Sequence, residues 1–481
     1  CGVVCSNPAH ASDAAETRFY VSQIVTDPSE VLSIEEIQGI IGPLEGRELD
    51  VSELIQAVAA INALYAANGY ITAQALLPPQ DVEGGVVYIR LVEGRLGRII
   101  LSGNQHTAHE YLVGRMSLRA GDLIRLDILE ADISYFNQTN DVELHGELSP
   151  GEVFGTTDIT LHVTEPPRGQ VALFVDNAGR SESGRLRTGV SLVHHSLFGH
   201  RDPLSVSATK GIGSLSGSVS YNFPVNPRGF RMGLRFDGSS AQVLSGEFES
   251  LEIETRNFGR TLFLTSPLRV ESNRLVDGFL EYHWKTSRSI FSGAELIKND
   301  TGTVVTGWNS QRQINAGVLT DCHAMTIGYG QAAVDKTFIK YYGAFGWLKP
   351  HANGNETSLK ALVQISPNRL LPPEEQFALG GMNTVRGFEE GILTGDSGYL
   401  FSFEHTFPVS EAMRAFIFFD HGAAFPYKGN DEPITKDDFL TSTGVGLNIR
   451  FGDHLYGRFQ AGIPLGPGHN MEVHMVVQLS F

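Results

Sequence analysis

Arg386 stands in the tetrapeptide Val385-Arg386-Gly387-Phe388, and Asp420 stands in the run Phe416-Ile417-Phe418-Phe419-Asp420-His421-Gly422. A guanidinium offers a planar fork of donors that matches a carboxylate through two parallel hydrogen bonds. Gly387 beside the arginine permits a tight tip. A period of two puts Phe416, Phe418 and Gly422 on the same face as Asp420. If that face lines an interior, the carboxylate is in reach of a loop folded into it. The chemistry expected of this pair is anchoring, with no bond made or broken. The competing reading is an exposed loop charge and an ordinary carboxylate on an inner wall.

The other polar residues assemble no reactive set. His194-His195 and the pair His106/His109 come without a carboxylate or cysteine cluster, so they read as surface or loop histidines and no metal is expected. Lys210-Gly211-Ile212-Gly213 lacks the strand and helix context of a phosphate loop. No Ser/His/Asp constellation is discernible. The expectation is a protein that is not an enzyme and needs no cofactor.

Those residues need a scaffold, and composition limits what it is. The 481 residues exceed one ordinary soluble core. Lys and Arg total 36 against 54 Asp and Glu, a formal charge of −18, which argues against a nucleic-acid partner. Three cysteines, Cys1, Cys5 and Cys322, give no disulfide framework. The chain begins without Met, and Ala9-His10-Ala11 looks like a signal-peptidase site, so residues 1–11 are expected to be a signal-peptide remnant, with a lipidated Cys1 as the alternative. No run of ~18 apolar residues exists to make a membrane helix. A closed barrel remains open, because its strands alternate only weakly in polarity.

Two halves follow different periods. Residues 19–165 alternate strands and helices. Phe19 to Val25 reads as extended, Ile34 to Ile41 as a short helix, and about Val51 to Asn68 as a longer one with Val51, Leu54, Ile55, Val58, Ile61 and Tyr65 on a stripe. Strands follow at Tyr70 to Leu76 and Val86 to Val92. The order then recurs: a strand at Arg98 to Leu101, helices at Thr107 to Gly114 and Leu126 to Thr139, strands at Val142 to Leu148 and Asp158 to Val163. Two such units, 19–95 and 96–167, suggest a duplicated α+β module.

From residue 168 the helical period vanishes. Roughly 16 to 18 strand-like segments remain, spaced as ~10-residue strands with turns would be. Gly accounts for 53 of 481 residues, about 11% against an average near 7%, and recurs between these segments. At the C-terminus Val473, Met475, Val477, Leu479 and Phe481 share one face, and Glu472, His474, Gln478 and Ser480 the other. A greasy face backed by a wet one suits a strand between lipid and a watery lumen.

These features together resemble a known family. Residues 370–388, LLPPEEQFALGGMNTVRGF, are similar to the sixth extracellular loop of the transporters of two-partner secretion (TpsB type). Its signature falls on Leu379, Gly380, Gly381, Val385, Arg386, Gly387 and Phe388. The run around Phe419, Asp420, His421 and Gly422 looks like that family's F-x-x-D-x-G type motif on an inner barrel wall. The two modules match its two POTRA domains, and Phe481, with Leu479 and Val477 before it, matches its assembly signal.

The resemblance implies a transmembrane antiparallel β-barrel of 16 strands over 168–481, with a loop around 377–395 inserted in it and anchored by Arg386 and Asp420. It implies two periplasmic α+β POTRA-like domains in front, in the bacterial outer membrane. The partners it implies are a secreted TpsA-like exoprotein, the barrel-assembly machinery and outer-membrane lipid. The alternatives are a barrel-assembly insertase of the same superfamily, which usually has more POTRA units, and a passive porin. Many relatives carry a plug helix before the first POTRA domain, and none fits before Phe19.

Overall fold

The computed structural model describes residues 18–246, 249–315, 317–331, 336–367, 370–426, 433–466 and 470–481. The expected signal remnant at 1–11 lies outside them. The chain divides into two compact units: among the described residues, one comprises 18–104, 112–136 and 143–164, the other 105–111, 137–142 and 165–481.

The first unit holds the first module and most of the second. Helix Ile34–Ile41 starts on a capping box in which the Ser33 hydroxyl accepts from Glu36 N and the Glu36 carboxylate accepts from Ser33 N. Asp50 caps helix Val51–Ala67 in the same role. That helix buries Leu54, Ala57, Ile61 and Tyr65, while Val51 and Ile55, expected on its stripe, are about half exposed. Strand Gln23–Thr26 pairs in parallel with Val86–Val92, which pairs antiparallel with Gln74–Leu76. The strand expected from Phe19 to Val25 is therefore two: Phe19–Val21 turns away to pair with Arg47–Leu49, a strand too short to show a period.

The second module repeats this topology. Strand Arg95–Ser102 runs parallel to Thr156–Thr164, which pairs antiparallel with Glu143–Pro150. Helices His109–Val113 and Leu126–Thr139 supply the α-elements. By sequence 105–111 and 137–142 lie within this module, yet they group with the barrel. Within that unit the Glu165 carboxylate accepts from the backbone N–H groups of His106 and Thr107 at 2.8 Å each, and Arg201, almost fully buried, pairs with Asp141.

A carboxylate also staples the first module. Glu93 accepts from Ser29 Oγ at 2.5 Å, Glu30 N at 3.0 Å and Tyr65 Oη at 3.0 Å. Burial raises the Glu93 pKa, but these hydrogen bonds outweigh it and hold the group below the usual carboxylate range. Burial and the adjacent Glu93 push the Tyr65 hydroxyl up to about 12. A depressed folded pKa makes the contribution complete above the ordinary carboxylate value near ~4.3 and lost as pH falls through the folded value. Acid melting of the first module should therefore shift to higher pH in Glu93→Gln; circular dichroism against pH showing no difference would contradict this.

Among the described residues of the second unit, sixteen strands close into one antiparallel barrel, from Gly169–Asp176 to Glu472–Ser480. The closure joins first and last strands between Ala172↔Ser480 and Asp176↔Val476. It is extended by two backbone bonds between Val171 and Phe481, 2.8 and 3.0 Å. At the other end the Asn177 side chain bonds Met475 N at 2.8 Å and Val473 O at 2.7 Å. On the last strand Val473 and Leu479 are exposed outward and His474 is buried, as the period of two requires. The expected fold class is borne out, and its strand count falls at the low end of the 16 to 18 segments.

Candidate functional site: a loop pinned inside the barrel

Strands Glu356–Ile365 and Ser397–Pro408 are hydrogen-bonded neighbours, yet 31 residues, 366–396, separate them. That length makes no tight turn. It folds into a short hairpin, Phe377–Leu379 against Leu393–Gly395. Phe377, Leu379, Val385 and Phe388 bury against Leu400, Ala424 and Leu440 of the wall. Burying those side chains removes loop and wall from water together, roughly 1.5–3 kcal/mol for each large side chain.

The tip carries the chemistry. Arg386 donates from Nε to Asp420 Oδ2 at 2.7 Å and from Nη2 to Oδ1 at 2.8 Å, a two-pronged pair. Its backbone N–H also reaches Asp420 Oδ2, at 3.0 Å. Nη1 donates to Glu404 Oε2 at 2.5 Å. The guanidinium lies flat on Phe418, its Cζ 3.7 Å from the ring centroid. Asp420 is fully buried and accepts a further bond from Ser402 Oγ at 2.7 Å. Burial opposes the Arg386 charge, but the bonds and charges of Asp420 and Glu404 outweigh it and raise the pKa above that of a free guanidinium.

Glu404 is shared. Arg458 donates to its Oε2 at 2.7 Å and stacks on Phe416, 4.1 Å from Cζ to centroid. Two arginines, two carboxylates and two phenyl faces, from the loop and three strands, thus form one neutral network. Gln460, two residues along from Arg458, donates to Met382 O of the loop at 3.1 Å.

Glycines make room for it. Phe416 and Phe418 lie directly across from Gly446 and Gly444, where any Cβ would strike the rings. Gly387 has φ +96° and rests on Gly462; a Cβ on Gly387 would come within 2.8 Å of the Gly462 carbonyl carbon. Left-handed backbone and backbone-to-backbone contact both demand glycine here. A Cβ on Gly422 would meet Leu379 Cδ1 at 2.9 Å, so Gly422 is the notch that receives the loop.

A second clasp holds the loop base. Glu375, buried, pairs with Lys285 at 2.8 Å and Lys340 at 2.9 Å, and its backbone O accepts from Lys340 and from Gln364. Glu374 Oε1 accepts from Thr301 Oγ1 at 2.7 Å and Asn299 Nδ2 at 3.2 Å. Burial disfavours the Glu375 charge, but the two lysines outweigh it and hold the carboxyl below its usual range.

The structure brings Val385, Arg386, Gly387, Phe388, Asp420 and Gly422 together. Phe419 it does not: that ring is on the opposite, outward face, about 38% exposed. The inward spacing is Phe418-x-Asp420-x-Gly422, because alternate residues of a strand share a face. Val477, Leu479 and Phe481 lie on the last strand and its end, outside the network. Glu404, Arg458 and the Glu374–Glu375 clasp were not foreseen. Glu404 alternates with outward Phe401 and Phe403, the one signal that could have marked it as inward.

A family model described as the haemolysin secretion/activation protein ShlB/FhaC/HecB matches residues 155–449. The chain belongs to this family. The ShlB-type POTRA domain matches residues 19–94. Among curated relatives, the heme/hemopexin transporter protein HuxB of Haemophilus influenzae is 23% identical, covering 89% of this chain and 80% of its own length. The outer membrane transporter CdiB of Escherichia coli is 25% identical, with 93% and 79% covered. A solved structure of CdiB from Escherichia coli superposes with a TM-score of 0.68 at 21% identity over 99% of this chain and 93% of that one, a likeness of fold. As a ShlB/FhaC/HecB protein, the chain is an outer-membrane transporter that secretes protein, with its POTRA domains in the periplasm. The resemblance to two-partner secretion transporters holds.

Proposed function

We propose that this transporter takes one large, unfolded, TpsA-like exoprotein from the periplasm and threads it through the lumen, with the loop 366–396 as the element that must stay pinned at Arg386–Asp420 for export to proceed. The carrying observation is the pinned loop: a bidentate ion pair at the tip and a lysine clasp at the base hold a 31-residue segment against the inner wall. The residues named for the site act by position alone, and no step asks for a catalytic group. The module sheets would receive the cargo by strand addition at an edge, aided by the groove between helix and sheet. Folding outside, with no route to fold back inside, would give the movement its direction.

A cell secreting the exoprotein tests this. Removal of residues 19–95 should stop release into the medium while the barrel still reaches the outer membrane; release at the normal rate would end the docking role.

The barrel-assembly machinery is proposed as the partner that inserts the chain. Phe481 follows the last strand, Glu472–Ser480, and extends the seam by its two backbone bonds with Val171. Its deletion should lower outer-membrane levels several-fold, measured by heat-modifiable migration of membrane fractions. Unchanged levels would remove Phe481 from the assembly signal.

A further inference from the structure

The outward face of the barrel carries an arrangement that lipid tails alone do not explain. Strands Glu254–Glu271 and Arg274–Phe291 are neighbours, with Arg260 opposite Trp284 and Arg256 opposite Arg288. On the other side Arg260 stands opposite Phe236. Phe236, Phe258, Leu262, Tyr282 and Trp284 are all exposed around it, the apolar and aromatic surface of a membrane-facing band. Arg260 rests on Phe258, 4.7 Å from Cζ to centroid, and 6.0 Å from the Trp284 ring. Among the described residues no carboxylate pairs with it.

A lone cation in such a band is unfavourable unless it sits at the headgroup level and meets an anion there. Arg256 and Arg288 stand two rows further along the same face, with Phe258 in the row between. Like charges directly across a sheet repel. Each has one carboxylate partner: half-buried Glu254 takes both prongs of Arg256, at 2.6 and 3.0 Å, and exposed Glu295 lies 3.5 Å from Arg288. The chain enters the barrel from the periplasmic modules, so the antiparallel order puts the Glu254 end of its strand at the cell exterior. Arg256 and Arg288 therefore lie at the outer end of the band, and Arg260, four residues further in, lies over Phe258 on the side toward them, where the outer leaflet carries phosphorylated glycolipid.

We propose that Arg256, Arg260 and Arg288, with Phe258 between the two levels and Trp284 beside Arg260, form a binding site for the phosphates of an outer-leaflet glycolipid whose acyl chains run down the apolar face. Guanidinium forks suit phosphate oxygens, and the stacked rings hold Arg260 in place.

The full chain reconstituted in phosphatidylcholine vesicles, with and without diphosphoryl lipid A, tests this. Thermal unfolding of the barrel should rise by about 5 °C or more with lipid A, since a ligand bound only by the folded state stabilises it. Arg260→Gln and Arg288→Gln should each lose at least half of that rise and melt like the parent in phosphatidylcholine alone, which shows they fold. Dephosphorylated lipid A should give no rise. If Arg260→Gln keeps the full rise, or if inorganic phosphate or dephosphorylated lipid A reproduces it, the site is wrong. Should a variant fail to insert, retention of lipid A by the detergent-purified parent and by Arg260→Lys, weaker in the lysine variant by loss of the fork, decides instead; equal retention overturns the proposal.

Discussion

Arg386→Ala should cut exoprotein release roughly tenfold or more while the barrel still inserts. The pair is buried on both sides, and removing one partner of a buried ion pair typically costs ~3–5 kcal/mol. Water in the lumen brings the figure toward ~1 kcal/mol. Sixteen strands hold the barrel independently of the tip, so the cost appears as a mispositioned loop rather than as unfolding. Asp420→Ala should do much the same. The double variant should be little worse than either single one, because both remove one interaction. Exchanging the charges should rescue only in part: Gly387 against Gly462 fixes the backbone, and Arg386 also serves Glu404. Release assayed in the medium beside outer-membrane levels of each variant checks this; normal release from both single variants would leave the loop held by its apolar residues, chiefly Phe388.

The base clasp should show the second largest effect. Glu375→Ala leaves Lys285 and Lys340 facing a vacated site, and Lys340 is nearly as buried as the carboxylate it loses. A cost of ~3 kcal/mol or more is expected where such a pair is broken. The loop base should then detach while the tip stays on Asp420, raising ion conductance of the barrel in planar bilayers and lowering export. Glu375→Gln should be milder, since an amide keeps the shape and can still accept from lysine. Conductance and export both at the parent level in Glu375→Ala would show that the clasp does not set the loop.

Much of this was legible in the sequence, for reasons that differ by element. Helices Ile34–Ile41 and Leu126–Thr139 announce themselves by period, and strand Val86–Val92 by its β-branched and aromatic residues. Arg386, Gly387 and Asp420 were legible because each is a residue type with one strong structural use. Arg47–Leu49 was not, since three residues carry no period. Phe419 belongs to the motif run yet faces outward, and in a strand one position is the difference between lumen and lipid. Glu404, Arg458, Lys285 and Lys340 come from four different strands. Only the closed order of the barrel brings them to the loop, and strand order is not written in local pattern.

The central claim is that cargo passes through the lumen past the pinned loop. Position 281, a glutamate on the inward face of strand Arg274–Phe291, and position 280, the outward leucine beside it, separate inside from outside by one residue. A photo-crosslinking amino acid placed at each, in cells exporting the exoprotein, measures which face the cargo touches. The account predicts an exoprotein adduct from position 281 during export and none from position 280. No adduct at 281 while secretion runs normally, or adducts of equal yield at both positions, would contradict it.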